Sequence, residues 1–277
     1  MELIVFDLDG TLLDAKGAIS DYTRETLVEL SKKGVAYTVA TGRTLHATTD
    51  LLDGLGFQLP LVFKNGVMIW DPENDDCSHQ NFLTLSEIGH VLEAMMDQRI
   101  TPFIFTYEPG GRHAIYHQPL QNDIERGLAK YFTSGDGVDM LPASAIPADA
   151  EITNIGGIGG PDHICRIETM IESEPHLVAY TGTSWKGDDW HWVDIHHSRA
   201  SKGGAIESLR AQLGVSRIIC FGDSDNDVSM FENADEAYAP ENATDVVKAH
   251  ATAVIGHHDQ DGIARFLRER FGIYDGR

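Results

Sequence analysis

The sequence predicts an α/β protein whose core is a Rossmann-like, doubly wound parallel sheet carrying an inserted α+β domain. Apolar strand-like runs alternate with amphipathic helical segments through the first eighty residues, and the same alternation resumes after Ser201. Between these two regions the strand-like runs include adjacent pairs, which is typical of an α+β domain. We therefore expect residues 1–82 and 194–277 to form the core and residues 83–193 to form the insert.

The first half of the core begins with a strand expected at residues 2–8. Residues 3–6, Leu-Ile-Val-Phe, form a continuous apolar run, as expected for a parallel strand that is covered on both faces. The elements expected after it are a helix near 22–33, a strand at 35–40, a helix near 45–55 and a strand at 60–64.

The second half of the core begins with a helix for which Ser201 is the expected N-cap. Ile206, Leu209 and Leu213 mark one face of that helix. The elements expected after it are a strand at 217–221, a helix near 225–233, strands at 235–239 and 251–255, and a closing helix with Ile263, Phe266, Leu267 and Phe271 on one side.

The insert is predicted to contain a strand pair at 101–107 and 112–117. The intervening Glu108-Pro109-Gly110-Gly111 has the composition of a loop between two strands. The remaining elements expected in the insert are helices near 86–98, 120–132 and 161–174, and strands near 151–158, 176–184 and 190–196.

Composition limits the classes of partner. The 277 residues include 43 acidic and 21 basic side chains, and the net charge of −22 argues against binding to nucleic acid or to anionic membranes. Three cysteines without CxxC spacing, Cys77, Cys165 and Cys220, are typical of free thiols in a reducing compartment. Neither a secretory leader nor an 18-residue apolar run is evident. We therefore expect a cytoplasmic protein. Its expected oligomeric state, a monomer or a homodimer, does not follow from composition.

Two carboxylates follow the first strand in the segment Asp7-Leu8-Asp9-Gly10-Thr11. In an open parallel sheet, ligands bind outside the carboxyl ends of the strands. Side chains two positions apart on extended backbone point the same way, so Asp7 and Asp9 are expected to face one site. Two carboxylates that close repel each other unless a metal, a proton or a cation compensates their charge.

Other groups suited to phosphoryl chemistry follow later strands. Thr41-Gly42-Arg43 offers a hydroxyl and backbone amides for an anion, Lys202 offers a cation at a helix start, and Gly222-Asp223-Ser224-Asp225-Asn226-Asp227 offers hard oxygen ligands. Each group also has an ordinary structural explanation. Thr41 is a candidate N-cap, Arg43 a candidate surface ion pair, Lys202 a candidate solvated lysine, and a capping turn accounts for one of the last acids.

In this order, the four segments resemble the motifs of the haloacid dehalogenase superfamily of phosphotransferases. The large insert between the threonine and lysine motifs resembles the Cof-type branch of sugar-phosphate phosphatases, as does Lys64-Asn65-Gly66-Val67. Asn242-Ala243 and Asp261-Gly262-Ile263 fit the C-terminal part of that branch.

This resemblance implies a magnesium-dependent phosphatase, a phosphoric monoester hydrolase, acting on small metabolites, with sugar phosphates as the expected class. Asp7 would be the nucleophile that forms an aspartyl phosphate, and Asp9 the general acid and base. The implied Mg²⁺ ligands are Asp7, Asp9 through its backbone carbonyl, Asp223 and Asp227. The implied phosphate-binding residues are Leu8, Thr41, Gly42, Lys202 and Asn226.

The insert then corresponds to a cap that excludes water and contacts the leaving group. Candidate substrate contacts are Arg43 and Asn65 from the core, and Arg112, His113, Trp185 and Lys186 from the cap.

Several other patterns were weighed. A zinc site at His191, His196 and His197 is disfavoured because His191 and His197 lie about 20 Å apart on a strand. The pair His257-His258 is interpreted as a polar loop, and the glycines at 156–160 lack the lysine and hydroxyl of a phosphate-binding loop. The rival functions are a phosphosugar mutase or phosphotransferase, a non-catalytic phosphometabolite sensor, and a phosphorylated receiver domain.

Overall fold

The computed structural model describes residues 2–45, 47–79, 81–109, 112–133, 138–184 and 187–274. These residues form two compact units, one of 1–78 and 201–277 and the other of 79–200. The divisions lie a few residues from the expected boundaries at 82/83 and 193/194. The second one falls later because the last strand of the insert continues to His197. No helix in the described ranges is both long enough and apolar enough to cross a bilayer.

The elements are numbered in chain order. The strands are β1 (Glu2–Phe6), β2 (Ala36–Val39), β3 (Leu61–Phe63), β4 (Met68–Asp71), β5 (Asp76–His79), β6 (Phe103–Glu108), β7 (Arg112–His117), β8 (Val138–Pro142), β9 (Glu151–Gly159), β10 (Leu177–Ser184), β11 (Gly187–His197), β12 (Arg217–Phe221), β13 (Glu236–Pro240) and β14 (Ala253–Ile255). The helices are α1 (Asp21–Lys32), α2 (Thr49–Leu52), α3 (Leu85–Asp97), α4 (Asp123–Phe132), α5 (Pro161–Ile171), α6 (Lys202–Leu213), α7 (Val228–Asn233), α8 (Asp245–His250) and α9 (Gly262–Phe271).

The core sheet joins the two ends of the chain, as the sequence predicts. Its five strands run parallel in the order β14-β13-β12-β1-β2. An isolated parallel bridge between Ala40 and Val62 connects the end of β2 to β3, which forms a small sheet with β4 and β5. The predicted α/β fold with a parallel core sheet is confirmed.

Helices cover both faces of this sheet, which explains the continuous apolar run of β1. Ile4 and Phe6 pack in one cluster with α1 and α9, whereas Leu3 and Val5 pack in another with α6, α7 and α8. All four side chains are fully buried. Alternate residues of β1 therefore serve the two halves of a doubly wound core.

The second unit is an α+β domain built on a six-stranded sheet of order β10-β11-β9-β6-β7-β8. Neighbouring strands are antiparallel except for the parallel pair β7–β8. One face of the sheet packs against α3 and α5, and part of the other packs against α4. The predicted α+β insert is confirmed.

Several short elements were missed or misjudged. β4, β5, β8 and α8 are not among the elements predicted from the sequence, and the helix expected near 45–55 is limited, in the described residues, to the four residues of α2. Helix α8 has only six residues, too few for a helical period to be distinctive. Strand β8 lacks strict polar–apolar alternation and ends in Pro142, which weakens its strand signal.

A charge cluster joins β13 to α9. The Arg270 guanidinium donates to both Glu236 carboxylate oxygens at 2.6 and 3.0 Å, and Arg217 and the Tyr238 hydroxyl also donate to Glu236. Only 12% of the Glu236 side chain is exposed. Hydrogen bonds from Arg270, with those from Tyr238 and the nearby positive charges, lower the pKa of Glu236 to about 2.

We predict that Arg270→Met lowers the free energy of unfolding at pH 7 by about 1–3 kcal/mol, because it removes charge-assisted hydrogen bonds from a mostly buried carboxylate. The pKa of Glu236 is lower in the folded state than its ordinary 4.5. Its contribution to stability is therefore complete above its unfolded-state pKa and is lost as the pH falls toward 2.

Urea denaturation of the wild type and the variant between pH 7 and pH 3 tests this prediction, and the difference should narrow with acidity. Arg126→Met is the matched control, since Arg126 pairs with the 95%-exposed side chain of Asp123. That variant should cost less than about 0.5 kcal/mol. Equal losses in both variants at every pH would contradict the role given to Glu236.

Candidate active site

Asp7 lies at the carboxyl end of β1, an interior strand of the core sheet between β12 and β2. Its backbone N–H donates to the Phe221 carbonyl of β12 at 2.8 Å, while the Ala40 N–H donates to the Phe6 carbonyl from the other side at 2.8 Å. At β1 the chain order of the strands reverses, and such a point is where open α/β sheets bind their ligands. The position expected for chemistry from the sequence is therefore the position at which Asp7 lies.

Lys202 connects Asp7 to a second carboxylate. Ser201 caps α6 by accepting a hydrogen bond from the Gly204 N–H at 3.1 Å, which places Lys202 at the first helical position. The fully buried Lys202 ammonium donates to Asp7 Oδ1 at 2.5 Å and to Asp227 Oδ1 at 2.6 Å. Burial opposes the charge of Lys202, but Asp227 and Asp7 outweigh burial and raise its pKa.

Asp227 is fully buried and uses both carboxylate oxygens. Oδ1 accepts from Lys202, and Oδ2 accepts from the backbone N–H groups of Asp223 and Ser224 at 2.9 and 3.0 Å. These bonds fix the turn that follows β12 and hold the Lys202 ammonium beside Asp7. Asp227 thus has a clear positioning role, in addition to the metal-binding role that the sequence suggested.

Asp223 is held by hydroxyl groups. Thr11 Oγ1 donates to its Oδ1 at 3.0 Å, and Ser224 Oγ donates to its Oδ2 at 3.1 Å. Gly10 has a φ of +74°, and a Cβ there would lie 2.4 Å from Asp223 Oδ2, so the turn after β1 requires glycine. Burial, followed by the negative charge of Asp227, raises the pKa of Asp223.

The three carboxylates have the donor chemistry of a divalent cation site. Asp7, Asp223 and Asp227 each offer an oxygen, and these atoms all lie within 4.8 Å of one another. Burial raises the pKa of Asp7 well above its usual value, and the charges of Asp227 and Asp223 add to this effect against the attraction of Lys202. One ammonium does not balance three carboxylates. The hard oxygen donors and the excess negative charge fit a cation such as Mg²⁺.

Asp9 occupies a different environment from Asp7. Its side chain is 58% exposed, and Arg43 donates to it through Nη2 at 2.6 Å and Nε at 2.8 Å. The sequence is compatible with a surface ion pair or with anion or substrate contact for Arg43, and the structure shows the two-point pair with Asp9. The sequence did not identify Asp9 as the partner of Arg43, because the two residues are 34 positions apart and no local pattern links them.

The threonine motif is joined to two asparagines. Thr41 is buried, and its hydroxyl accepts from the Arg43 backbone N–H at 3.1 Å, while its carbonyl accepts from the Asn65 N–H at 3.0 Å. Asn226 Nδ2 donates to Asn65 Oδ1 at 2.9 Å. Asn226 Oδ1 is buried without a hydrogen-bond partner in the described part of the chain. Gly42 is solvent-exposed beside this network.

Leu8, the remaining phosphate-binding candidate, lies between Asp7 and Asp9. Its side chain is fully buried, and its carbonyl accepts from the Leu13 N–H at 2.9 Å, which closes the turn after β1. The core candidates named from the sequence are thus brought together around the end of β1.

The turn after β3 supports Lys202 through backbone packing. Lys64, Asn65 and Gly66 have φ values of 47°, 56° and 106°. A Cβ on Gly66 would lie 2.2 Å from the Ser201 carbonyl oxygen, so this turn and the start of α6 are in direct contact. The sequence identified Asn65-Gly66 by resemblance only, and gave no signal of this contact.

Thr11 and Asn242 hold the site loops and received no role from the sequence. Thr11 bonds Asp223, while Asn242 donates to the Gly10 carbonyl at 2.7 Å and accepts from the His258 N–H at 3.2 Å. The polar residue directly after the acidic turn was the available signal for Thr11. Asn242 lies 232 positions from Gly10, and no local pattern links the two.

The cap candidates are found in different circumstances. Arg112 on β7 donates to Glu108 and, at 2.8 Å, to Asp139, so it has acidic partners within its own unit. The His113 ring centre lies 5.3 Å from that of Tyr107. Trp185 and Lys186 lie outside the described residues.

The histidine patterns set aside in the sequence analysis have local partners. His196 is fully buried on β11, with Nδ1 on the His197 carbonyl at 3.1 Å. His257, His258 and Asp259 place ligand atoms within 4.8 Å of one another. However, His258 Nδ1 bonds the Leu13 carbonyl at 2.7 Å, and His257 Nδ1 accepts from the Asp259 N–H at 3.2 Å. These bonds support the interpretation of a polar loop.

Comparison with known families identifies the fold and the enzyme class. The model for haloacid dehalogenase-like hydrolases matches residues 4–267. The chain belongs to this family. Its motif-based recognition as a Cof-type phosphatase is confirmed.

Curated relatives and solved structures cover the whole chain. A Bacillus subtilis 5-amino-6-(5-phospho-D-ribitylamino)uracil phosphatase, YitU, is 26% identical over 273 residues, 98% of each chain. The Escherichia coli pyridoxal phosphate phosphatase YbhA is 23% identical over 275 residues, 96% of this chain and 97% of its own. The HAD subclass IIB sugar phosphatase BT4131 shares the fold with a TM-score of 0.75 at 21% identity, covering 99% of this chain and 100% of its own.

We predict that Gly66→Ala disturbs the site more than Gly34→Ala does. Both glycines have positive φ, at 106° and 72°, so both variants strain the backbone, by roughly 1 kcal/mol or more each. Only Gly66 has a neighbour in the way, since nothing lies within 4 Å of a Cβ on Gly34. Gly66→Ala should lower both the melting temperature and the rate of phosphate release, whereas Gly34→Ala should keep its activity. Similar activity losses in the two variants would contradict the link to Lys202.

Proposed function

We propose that this phosphatase hydrolyses phosphate monoesters of small metabolites, sugar phosphates being the expected class, with Mg²⁺ and through an aspartyl phosphate on Asp7. One observation carries the proposal: Lys202 holds the buried Asp7 carboxylate at the carboxyl end of β1, beside two further carboxylates. The relatives named for a phosphoribitylamino-uracil and for pyridoxal phosphate support small phosphorylated metabolites as the substrate class.

Asp7 is the nucleophile in this proposal. Lys202 occupies Oδ1, and the described residues provide no hydrogen bond to Oδ2. A carboxylate oxygen of Asp7 attacks phosphorus, the bond from phosphorus to the leaving oxygen breaks, and an aspartyl phosphate forms. Water then attacks phosphorus, and Asp7 leaves as a carboxylate. Each turnover releases one alcohol and one inorganic phosphate.

Asp9 moves the protons. It donates a proton to the leaving oxygen in the first step and removes one from the attacking water in the second. Its exposed carboxylate suits this exchange better than the buried Asp7 does, because a proton carrier must reach both the substrate and water. Arg43 holds both oxygens of that carboxylate and fixes its direction.

The transferring phosphoryl group is bound by one positively charged side chain and by several hydrogen-bond donors. The Thr41 hydroxyl, the amides of Leu8 and Gly42, the Lys202 ammonium and the Asn226 side chain are the proposed donors. Lys202 contributes a cation already fixed by two carboxylates, so it needs little rearrangement when the phosphoryl charge arrives.

Mg²⁺ would be held by the carboxylates of Asp7 and Asp223 and by the Asp9 backbone carbonyl, with Asp227 adjacent. When bound, the ion supplies positive charge that neutralises phosphoryl oxygens and permits Asp7 to remain ionised.

The leaving group is proposed to be selected by Asn65 and by the cap candidates Arg112, His113, Trp185 and Lys186. We also propose a cytoplasmic enzyme that works as a monomer or homodimer. Steady release of inorganic phosphate distinguishes the hydrolase from a phosphosugar mutase or phosphotransferase, and any turnover distinguishes it from a sensor.

Asp7→Asn is expected to lower phosphate release at least about a thousandfold while leaving the fold intact, because an amide is a poor nucleophile. The measurement is inorganic phosphate release from a panel of phosphorylated metabolites with Mg²⁺ or with EDTA. Asp53→Asn is the control, since Asp53 is exposed and belongs to none of the motifs. Wild-type release that is unaffected by EDTA, or turnover retained in Asp7→Asn, would overturn the mechanism.

Arg43→Ala and Arg43→Lys are expected to slow the hydrolysis of alkyl phosphates more than that of aryl phosphates. Alkoxide leaving groups need a proton from Asp9, and general acid catalysis contributes roughly 10²–10⁴-fold, whereas nitrophenolate leaves without one. We expect about 10–100-fold lower kcat for alkyl phosphates and about threefold or less for p-nitrophenyl phosphate. The lysine variant keeps the positive charge but loses the two-point contact that the guanidinium makes with Asp9. An equal loss on both substrates would instead place Arg43 on the phosphoryl group.

A further inference from the structure

A cleft lies in the first unit, between α1 and the end of α9. Its volume is about 640 Å³, within the range of roughly 300–1,000 Å³ that is usual for small-molecule sites. The lining residues from α1 and its C-cap lie at positions 24, 25, 28, 29, 32 and 33, a spacing that selects one face of the helix. None of the proposed catalytic, phosphate-binding or metal-binding residues lines this cleft.

The cleft is positively charged on a strongly acidic protein. Four of its lining residues are basic, Arg24, Lys32, Lys33 and Arg268, and two are acidic, Glu25 and Glu29. The net charge of the chain is −22, so most of its surface repels anions, whereas this cleft attracts them.

The cations of the cleft differ in how far they are already neutralised. Lys32 pairs with Glu29 at 2.7 Å, and Arg268 lies 3.7 Å from Glu25. Arg24 donates from Nε to the Ile19 carbonyl at 3.3 Å. Within the described ranges no ion pair involves Arg24 or Lys33. These two side chains therefore supply positive charge that remains available to a ligand.

An apolar wall accompanies the charges. Tyr274 is 83% exposed and Val28 36% exposed, and Ile273 lines the cleft beside them. Arg268, which lines the cleft, is held in place. Its guanidinium lies 4.3 Å from the centre of the Tyr22 ring and donates to Thr26 Oγ1 at 2.7 Å. An exposed aromatic ring next to free cations suits a ligand with both a planar group and an anionic group.

We propose that the α1–α9 cleft binds a small organic anion that carries a planar group, of the size and chemistry of a nucleoside monophosphate, independently of the phosphoryl-transfer site. Lys33 binds the anionic group, Arg24 adds positive charge about two and a half turns nearer the start of α1, and Tyr274 with Val28 contacts the planar group. The inference does not depend on the catalytic mechanism.

The test is isothermal titration of the wild-type protein with AMP in the presence of EDTA. Without a divalent cation, the three carboxylates of the active site disfavour a phosphate there. We expect saturable binding that Lys33→Glu weakens at least about tenfold, a change of about 1.4 kcal/mol. Lys130→Glu makes the same charge change on an exposed residue of α4 and should bind AMP like the wild type.

A second variant tests the planar contact. Tyr274→Ala should weaken the binding of AMP but leave the weaker binding of inorganic phosphate unchanged. Lys33→Glu should retain wild-type phosphate release with Mg²⁺, so a failure here is distinguishable from a failure of the proposed function. The inference is overturned if the wild type shows no saturable binding, if AMP binds only with Mg²⁺, or if Lys33→Glu and Lys130→Glu weaken binding equally.

Discussion

The site depends on one buried cation shared by two carboxylates. Lys202 is fully buried, and its ammonium lies 2.5 Å from Asp7 and 2.6 Å from Asp227. Removing one member of a buried ion pair typically costs about 3–5 kcal/mol, because the remaining charge is left in a medium of low polarity. The Ser201 cap and the backbone contact of Gly66 place Lys202 at this point, so residues far apart in the sequence together set the position of the Asp7 carboxylate.

The same arrangement separates the roles of two neighbouring aspartates. Burial, together with the negative charges of Asp227 and Asp223, raises the pKa of Asp7, so the positive charge of a divalent cation would favour its ionised form. Asp9 is largely exposed and pairs with Arg43. In the proposed mechanism one residue type therefore serves both as nucleophile and as proton carrier, and the environments of the two aspartates separate the two functions.

Sequence patterns predicted what depends on local order and missed what depends on close approach. The apolar run of β1 requires cover on both faces, and this fixed the core architecture in advance. The carboxyl ends of parallel strands meet, so the acids, Thr41 and Lys202 were expected in one place. The Arg43–Asp9 fork and the packing of Gly66 on Ser201 depend on how loops fold back over 34 and 135 positions, for which no periodicity exists. Short elements such as α8 fail for a related reason, since six residues contain less than two helical turns.

Hydrogen-bond capacity distinguishes the two acids that follow β12. A carboxylate has about four lone-pair positions. Asp227 gives one position on Oδ1 to Lys202 and both positions on Oδ2 to backbone N–H groups, whereas Asp223 accepts a single hydroxyl on each oxygen from the described residues. Asp223 is also partly exposed, while Asp227 is fully buried. Asp223 therefore retains lone pairs on both oxygens for a cation. Asp227 has spent most of its capacity on the turn and on Lys202, so its main effect on a cation is through charge and through the position of Asp223.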